Sequence, residues 1–165
     1  MPSYLHPVNL APAPRISSPF GWRTHPLSGG RRMHNGIDFP VPVGTPLVAV
    51  AKGSVLRCYH GDTQHGDYGN AVILLLQDGA AALYAHLSRV DLVEGSAIAA
   101  GDAVGLSGDT GRVTGPHLHF EIISAPHVGR IARNGRSIGL PGTWLDAGGN
   151  SVTARVDPAG MIVGL

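Results

Sequence analysis

The chain has 165 residues, 43% of them hydrophobic and 14% charged, which is apolar enough for one buried core and too weakly charged for a disordered chain. Its formal net charge is +1, and its basic residues are eleven arginines and Lys52, scattered without a run that could track a phosphate backbone, so nucleic acid is excluded as the expected partner. Cys58 is the sole cysteine, which rules out an internal disulfide and a thiolate metal cage, so any metal site must use histidine and carboxylate.

Residues 1–16 read as an extended lead-in, because Pro2, Pro7, Pro12 and Pro14 remove backbone donors and fix φ. The opening Met-Pro-Ser-Tyr-Leu-His-Pro-Val has neither a basic start nor an apolar run, so no export signal is expected in it. The longest aliphatic stretch, Ala71–Leu76, falls far short of the ~20 residues of a transmembrane helix. Gly (24) and Pro (13) punctuate the rest of the chain every few residues. Between them lie Leu47–Ala51, Ala71–Leu76, Ala81–Leu87 and His117–Ile123, rich in Val, Ile and Leu and shorter than a helix of ~10–12 residues, which read as strands. The predicted fold is mainly β, an antiparallel sheet folded into a groove, with little helix. Two glycine-spaced stretches, 44–53 and 93–105, resemble the half-motifs of biotinyl/lipoyl hammerhead folds, a likeness of sheet architecture alone. Further on, Asn134-Gly135 suits a tight hairpin turn, and a second hairpin is expected around Gly148-Gly149-Asn150.

Three of these segments carry chemistry. In His34-Asn-Gly-Ile-Asp38, extended-chain alternation sends His34, Gly36 and Asp38 to one face and Ile37, Phe39 and Val41 to the other. Gly36 is read as keeping the space between the two polar side chains clear. In Leu83-Tyr84-Ala85-His86-Leu87, the same alternation sets Tyr84 and His86 opposite Leu83, Ala85 and Leu87. In Pro116-His117-Leu118-His119-Phe120-Glu121-Ile122, His117, His119 and Glu121 share a face while Leu118, Phe120 and Ile122 fill the core. A rise of roughly 3.3 Å per residue sets those two imidazoles about 7 Å apart along the strand, so one can bind a metal while its neighbour serves a substrate. A lone histidine beside apolar residues is ordinarily a satisfied structural side chain, and His-x-x-x-Asp by itself arises by chance in a histidine-rich chain. Three polar faces, each backed by an apolar one, shift that balance toward a site for a metal of borderline softness.

From about Ser17 to Glu121 the chain resembles the lysostaphin-type (LytM-domain) zinc metallopeptidases, a family of peptidoglycan hydrolases. The resemblance rests on Ser18-Pro-Phe-Gly-Trp-Arg23, Pro26, Gly29, the His34 and Asp38 pair, Gly44-Thr-Pro46, Asp67-Tyr-Gly-Asn70, Tyr84-Ala-His-Leu-Ser88 and Thr110-Gly-Arg-Val-Thr-Gly-Pro-His-Leu-His-Phe-Glu121, in matching order and spacing. It implies one Zn2+ per chain, held by His34, Asp38 and His119, with His86 and His117 as catalytic histidines. One of these two would accept a proton from the attacking water and the other would stabilise the developing oxyanion, with the order left open. The only glutamates are Glu94 and Glu121, and His-Glu-x-x-His is missing, which excludes a helix-borne glutamate base. Glu121 is read either as orienting a histidine from behind or as a plain cross-strand partner. Tyr84, Asn70 and Arg23 are candidates for the substrate groove, with packing and framework roles as the alternative. His25, His60 and His65 are read as solvated loop residues and Cys58 as a small core side chain.

The expected division is a lead-in over 1–16, a LytM-type peptidase domain over 17–125 and a C-terminal β extension of unknown role over 126–165, with no chemistry expected in its last stretch, Trp144–Leu165. Loops 20–35, 59–69 and 107–116 are expected to wall the groove. The implied activity is a zinc metalloendopeptidase acting on stem or cross-bridge peptides at the bacterial cell wall. The alternative is a catalytically inactive LytM-type binding or activator module, which metal content would separate. With no export signal in view, the expected routes to the wall are release as a phage lysin, docking to a virion or larger assembly through the C-terminal extension, or production as a mature fragment.

Overall fold

The computed structural model describes residues 3–24, 29–60, 68–125, 143–145, 151–153 and 155–165. The strands in its first half are β1 (Gly21–Thr24), β2 (Arg31–His34), β3 (Ile37–Phe39), β4 (Pro46–Val48), β5 (Gly53–Tyr59) and β6 (Asn70–Leu76). They are followed by β7 (Ala81–Val90), β8 (Ala97–Ile98), β9 (Ala103–Ser107), β10 (Leu118–Ile123), β11 (Thr143–Leu145), β12 (Ser151–Thr153) and β13 (Arg155–Val156). One turn of 3-10 helix spans Ala159–Met161 near the end of the chain. All ladders between strands are antiparallel, so the chain has the mainly β fold read from its sequence.

The main sheet runs in the order β13-β10-β7-β6-β5-β8, with β3 added to β10 and β9 joining β7 to β4. The two glycine-spaced stretches meet in it. β4 pairs with β9, and the start of β5 pairs with β8. β5 was not among the segments read as strands, because Ser54 and Arg57 interrupt its aliphatic pattern and its register shifts between Val55 and Arg57. Conversely, only Leu47 and Val48 of Leu47–Ala51 lie in β4, which starts one residue earlier at Pro46. Val50 leaves the ladder, giving its N–H to the Tyr84 hydroxyl and its carbonyl to the Leu5 N–H.

Alternation along the strands sorts side chains onto the two faces of the sheet. Val72, Leu74, Ala82, Tyr84, Leu118, Phe120 and Ile122 join Ile37, Phe39 and Leu47 in the larger cluster. Ala71, Ile73, Ala81, Leu83, Ala85 and Ile123 form a smaller one. The proline-rich start makes isolated bridges rather than strands, yet it buries Tyr4 and Val8 in the larger cluster. Tyr4 donates its hydroxyl to Asp78 and pairs with Ile162, so the first described residues lie against the last.

Strand β10 has β7 along one edge. Its other edge is shared end to end by β3, opposite Leu118 to Phe120, and by β13, opposite Ile122 and Ile123. Gly36 stands where β3 enters this edge. A Cβ there would lie 2.2 Å from the Phe120 carbonyl oxygen and 2.8 Å from Cγ of Glu121. Its role is therefore close approach of β3 to β10, a correction to the reading that it clears space between His34 and Asp38. Gly36→Ala is expected to cost about 1–3 kcal/mol, since the obstacle is backbone that cannot rotate away. Urea unfolding of the metal-free variant measures this, and wild-type stability would show that β3 can dock farther out.

β11 and β12 pair as Thr143↔Thr153 through Leu145↔Ser151, flanking the hairpin expected at Gly148-Gly149-Asn150. The turn itself and the hairpin expected at Asn134-Gly135 lie outside the described residues.

Candidate active site

The register of β10 brings the polar side chains together. His119 is the cross-strand neighbour of Asp38 on β3 and of Ala85 on β7. His34 arrives from the end of β2, and its Nδ1–H donates to the Pro19 carbonyl at 2.7 Å, leaving Nε2 as the donor atom facing inward. His34 Nε2 lies 3.3 Å from His119 Nδ1 and 3.3 Å from Asp38 Oδ1, and His119 Nδ1 lies 2.8 Å from that same oxygen. His34, Asp38 and His119 are the set that could hold a metal among the described residues. Tetrahedral ligands ~2.0–2.1 Å from a zinc ion sit ~3.3–3.4 Å apart. Two of the three separations match that edge and the third is a hydrogen-bond length. Two imidazoles and one carboxylate also suit zinc chemically, so the residues fit the ion.

Two more imidazoles border this cluster. The His117 Nδ1–H donates to the Gly115 carbonyl at 2.9 Å, and its Nε2 lies 3.7 Å from Asp38 Oδ1. The His86 Nδ1–H donates to the Thr110 carbonyl at 2.8 Å. Its ring centroid is 4.8 Å from that of His117 and 6.0 Å from that of His119. Loop 107–116, read as a wall, thus supplies the backbone acceptors that orient both rings through Nδ1 and leave Nε2 of each outside that contact.

His86 reaches this place by breaking the strand's alternation. It is the one non-glycine residue with positive φ among those described, at 63°, a left-handed conformation that histidine enters more readily than most residues. Leu83 and Ala85 belong to the smaller cluster whereas Leu87 belongs to the larger one, so the faces exchange across His86. The kink is braced. The Leu87 carbonyl accepts from Asn70 Nδ2 at 2.9 Å and from the Thr110 hydroxyl at 2.7 Å.

Charge follows from this packing. Burial works to raise the Asp38 pKa, but hydrogen bonds from His119 and His34 outweigh it and hold the carboxyl well below its usual range. Burial lowers His86 to about 4, helped by the nearby His119 and His117 and opposed by Thr110 and Asp38, so His86 is a neutral imidazole at neutral pH. Burial also works to lower His119, but its hydrogen bonds to Asp38 and Glu121 raise it to about 9. In the metal-free chain the His119 contribution to stability is therefore present below about pH 6.5 and lost as pH rises toward 9. A metal at Nδ1 must displace that proton. Metal affinity is expected to rise about tenfold per pH unit up to about pH 9, read by chelator competition across pH 6–9, and a flat profile would show that no proton leaves the site.

The sequence profile of Peptidase family M23 matches residues 32–142. The chain belongs to this family. Among M23 relatives, the DD-carboxypeptidase/endopeptidase Mpg of Neisseria meningitidis is 48% identical over 107 residues, which are 65% of this chain and 24% of the relative. The chain thus spans about a quarter of the length of the curated relatives it matches. A zinc-containing peptidase from Vibrio cholerae aligns with a TM-score of 0.66 and 34% identity, over 73% of this chain and 36% of that one. The catalytic domain of lysostaphin from Staphylococcus simulans aligns with a TM-score of 0.61 and 31% identity, over 73% of this chain and 87% of that one.

The other singled-out residues separate. Tyr84 does not line a groove. It is fully buried, stacks edge-on against Phe120, donates its hydroxyl to the Val48 carbonyl and accepts from the Val50 N–H. Alternation was right for Tyr84 and wrong for His86, so the two do not share a face. Asn70 braces the Leu87 carbonyl as described. Arg23 is exposed on β1 and donates to the Ser18 hydroxyl. Loop 20–35 contains β1 and β2, which pair with each other. His60 is exposed, while His25, His65 and most of the 59–69 wall lie outside the described residues. Cys58 is half-buried and its thiol faces the Leu92 carbonyl.

Behind His119 stands a group that sequence reasoning saw only in part. Glu121 is fully buried, and its Oε1 accepts from His119 Nε2–H at 2.9 Å. Tyr68 and Arg155 also donate to Glu121. Tyr68 sat inside a quoted motif without a role. Arg155 sat in a segment where no chemistry was expected, and no local pattern marks it.

Proposed function

We propose that this chain is a zinc metalloendopeptidase that hydrolyses peptide bonds in bacterial peptidoglycan. The observation that carries this reading is the convergence of His34 Nε2, Asp38 Oδ1 and His119 Nδ1 within 3.3 Å of one another, with two further imidazoles alongside. His34, Asp38 and His119 would hold the ion. When bound, zinc supplies a water acidified to a pKa near ~7 and a Lewis acid for the scissile carbonyl. The remaining work belongs to the chain. His86 is neutral with Nδ1–H on Thr110, so its Nε2 can take a proton from the attacking water. His117, fixed the same way on Gly115, is placed to stabilise the oxyanion or to hand a proton to the leaving amine. Exchange of these two roles is equally compatible with the geometry. Glu121 holds His119 from behind, as carboxylates commonly do for ligating histidines.

The similarity to a relative named DD-carboxypeptidase/endopeptidase favours a D-amino-acid cross-link over a glycyl-glycine bridge as the bond cut. The relatives support action at the cell wall and do not support docking to a virion. No helix among the described residues is long and apolar enough to cross a membrane. The competing reading, an inactive module that binds or activates a wall enzyme, is disfavoured because all five metal and catalytic positions carry competent side chains.

The deciding experiment incubates the purified chain, with and without a chelator, on walls of defined cross-bridge chemistry and identifies new amino termini by mass spectrometry. Chelator-sensitive release at D-amino-acid cross-links is the expected result. Stoichiometric zinc without any new terminus would favour the inactive module.

A further inference from the structure

Glu121 is 0% exposed and both of its oxygens are occupied. Oε1 accepts from His119 Nε2–H at 2.9 Å and from the Tyr68 hydroxyl at 2.5 Å, while Oε2 accepts from Arg155 Nε at 3.1 Å. Arg155 is itself 1% exposed, and arginine is almost never buried so fully without a partner that requires it. It comes from β13, where it faces Ile123 across the ladder while Val156 faces Ile122. Glu121 and Ile123 lie on one face of β10, so Arg155 is the diagonal neighbour of Glu121 on that face. This is the seam where β3 ends and β13 begins along the edge of β10. The residues matching the family end at 142, so the guanidinium comes from beyond the matched region.

We propose that Arg155 is a positioning residue for the metal centre: through Glu121 it fixes the ring of His119 so that Nδ1 faces Asp38 and His34. The inference rests on the metal-centre reading above. Its physical basis is a chain of directional contacts. Arg155 anchors Oε2, and the planar carboxylate then presents Oε1 to His119 Nε2. The proton held on Nε2 selects the tautomer whose Nδ1 lone pair points into the ligand cluster. Without Arg155, Glu121 is a buried anion with only neutral or shared donors. It would turn toward water, and the His119 ring would lose its orienting acceptor. Lysine cannot replace this contact fully, because an ammonium is a point charge without the fixed fork of a guanidinium.

The test uses the full chain, purified and stripped of metal. Zinc affinity is measured by chelator competition for the wild type, Arg155→Met, Arg155→Lys, Glu121→Gln and the double variant Arg155→Met/Glu121→Gln. Cobalt spectra and urea unfolding of the metal-free forms accompany it. Arg155→Met is expected to weaken zinc binding by about 10–100-fold, the range typical of partners behind a ligand, and to alter the cobalt d–d bands. In the double variant the loss should not exceed that of Glu121→Gln alone, because both changes cut the same chain of contacts. A lower urea midpoint with zinc affinity within about twofold of wild type would overturn the proposal and leave Arg155 a folding brace. If Arg155→Met does not fold, Arg155→Lys decides. A drop of about threefold or more at an unchanged urea midpoint supports the proposal, and wild-type affinity overturns it. A wild type that binds no zinc would instead remove the metal-centre reading itself.

Discussion

His119→Ala is expected to abolish both stoichiometric metal binding and hydrolysis. On the proposed reading His119 is the hub of the cluster, since its Nδ1 lies 2.8 Å from Asp38 and 3.3 Å from His34 while its Nε2 holds Glu121. Truncation removes one of three donors and also strands Glu121 and Arg155 behind it. The loss of affinity should exceed the about 10–100-fold typical of changes behind a ligand, which for a site with two remaining donors means no retention through dialysis. Metal content by elemental analysis, together with release of wall peptides, reads both effects. Retained zinc in a folded His119→Ala protein would contradict the assignment of this residue.

His117→Ala is expected to behave differently, retaining the metal and losing turnover. Its Nε2 stands 3.7 Å from Asp38 Oδ1, and it lies outside the set whose donor atoms converge. A side chain that moves or stabilises a proton in the transition state contributes about 10²–10⁴-fold, so kcat should fall by that factor with zinc content unchanged. His86→Ala is expected to give a loss of the same order. Its pH profile distinguishes the two, because His86, held near 4 by burial, stays neutral well below the ordinary histidine range. If His86 is the base, activity in His117→Ala should persist into mildly acidic solution as far as metal retention allows. Metal loss from His117→Ala equal to that from His119→Ala would mean that the roles in this pair are reversed.

Strand periodicity is a local property, and the residues that obey it were legible one segment at a time. His119 and Glu121 stand opposite Leu118, Phe120 and Ile122 as read, because a period of two needs only an extended backbone. Ile37, Phe39 and Val41 enter the core for the same reason. His86 escaped this logic, because one residue at φ 63° exchanges the faces on either side of it. That conformation is maintained by the Asn70 amide and the Thr110 hydroxyl, both on the Leu87 carbonyl from 17 and 23 residues away in sequence. Tyr84 does lie opposite Leu83 and Ala85 as alternation predicts, but the kink ends the face it was to share with His86.

Residue types and local spacing specified the mainly β class, the apolar strand faces and the restriction of any metal site to histidine and carboxylate. Long-range packing set the rest: Gly36 lets β3 reach β10, loop 107–116 orients His86, and Arg155 stands behind Glu121. Each of these depends on a contact between segments far apart in the chain, such as the 34 residues separating Arg155 from Glu121. Such contacts leave no periodic trace in the sequence, because the partner's position is set by strand order and register rather than by its neighbours.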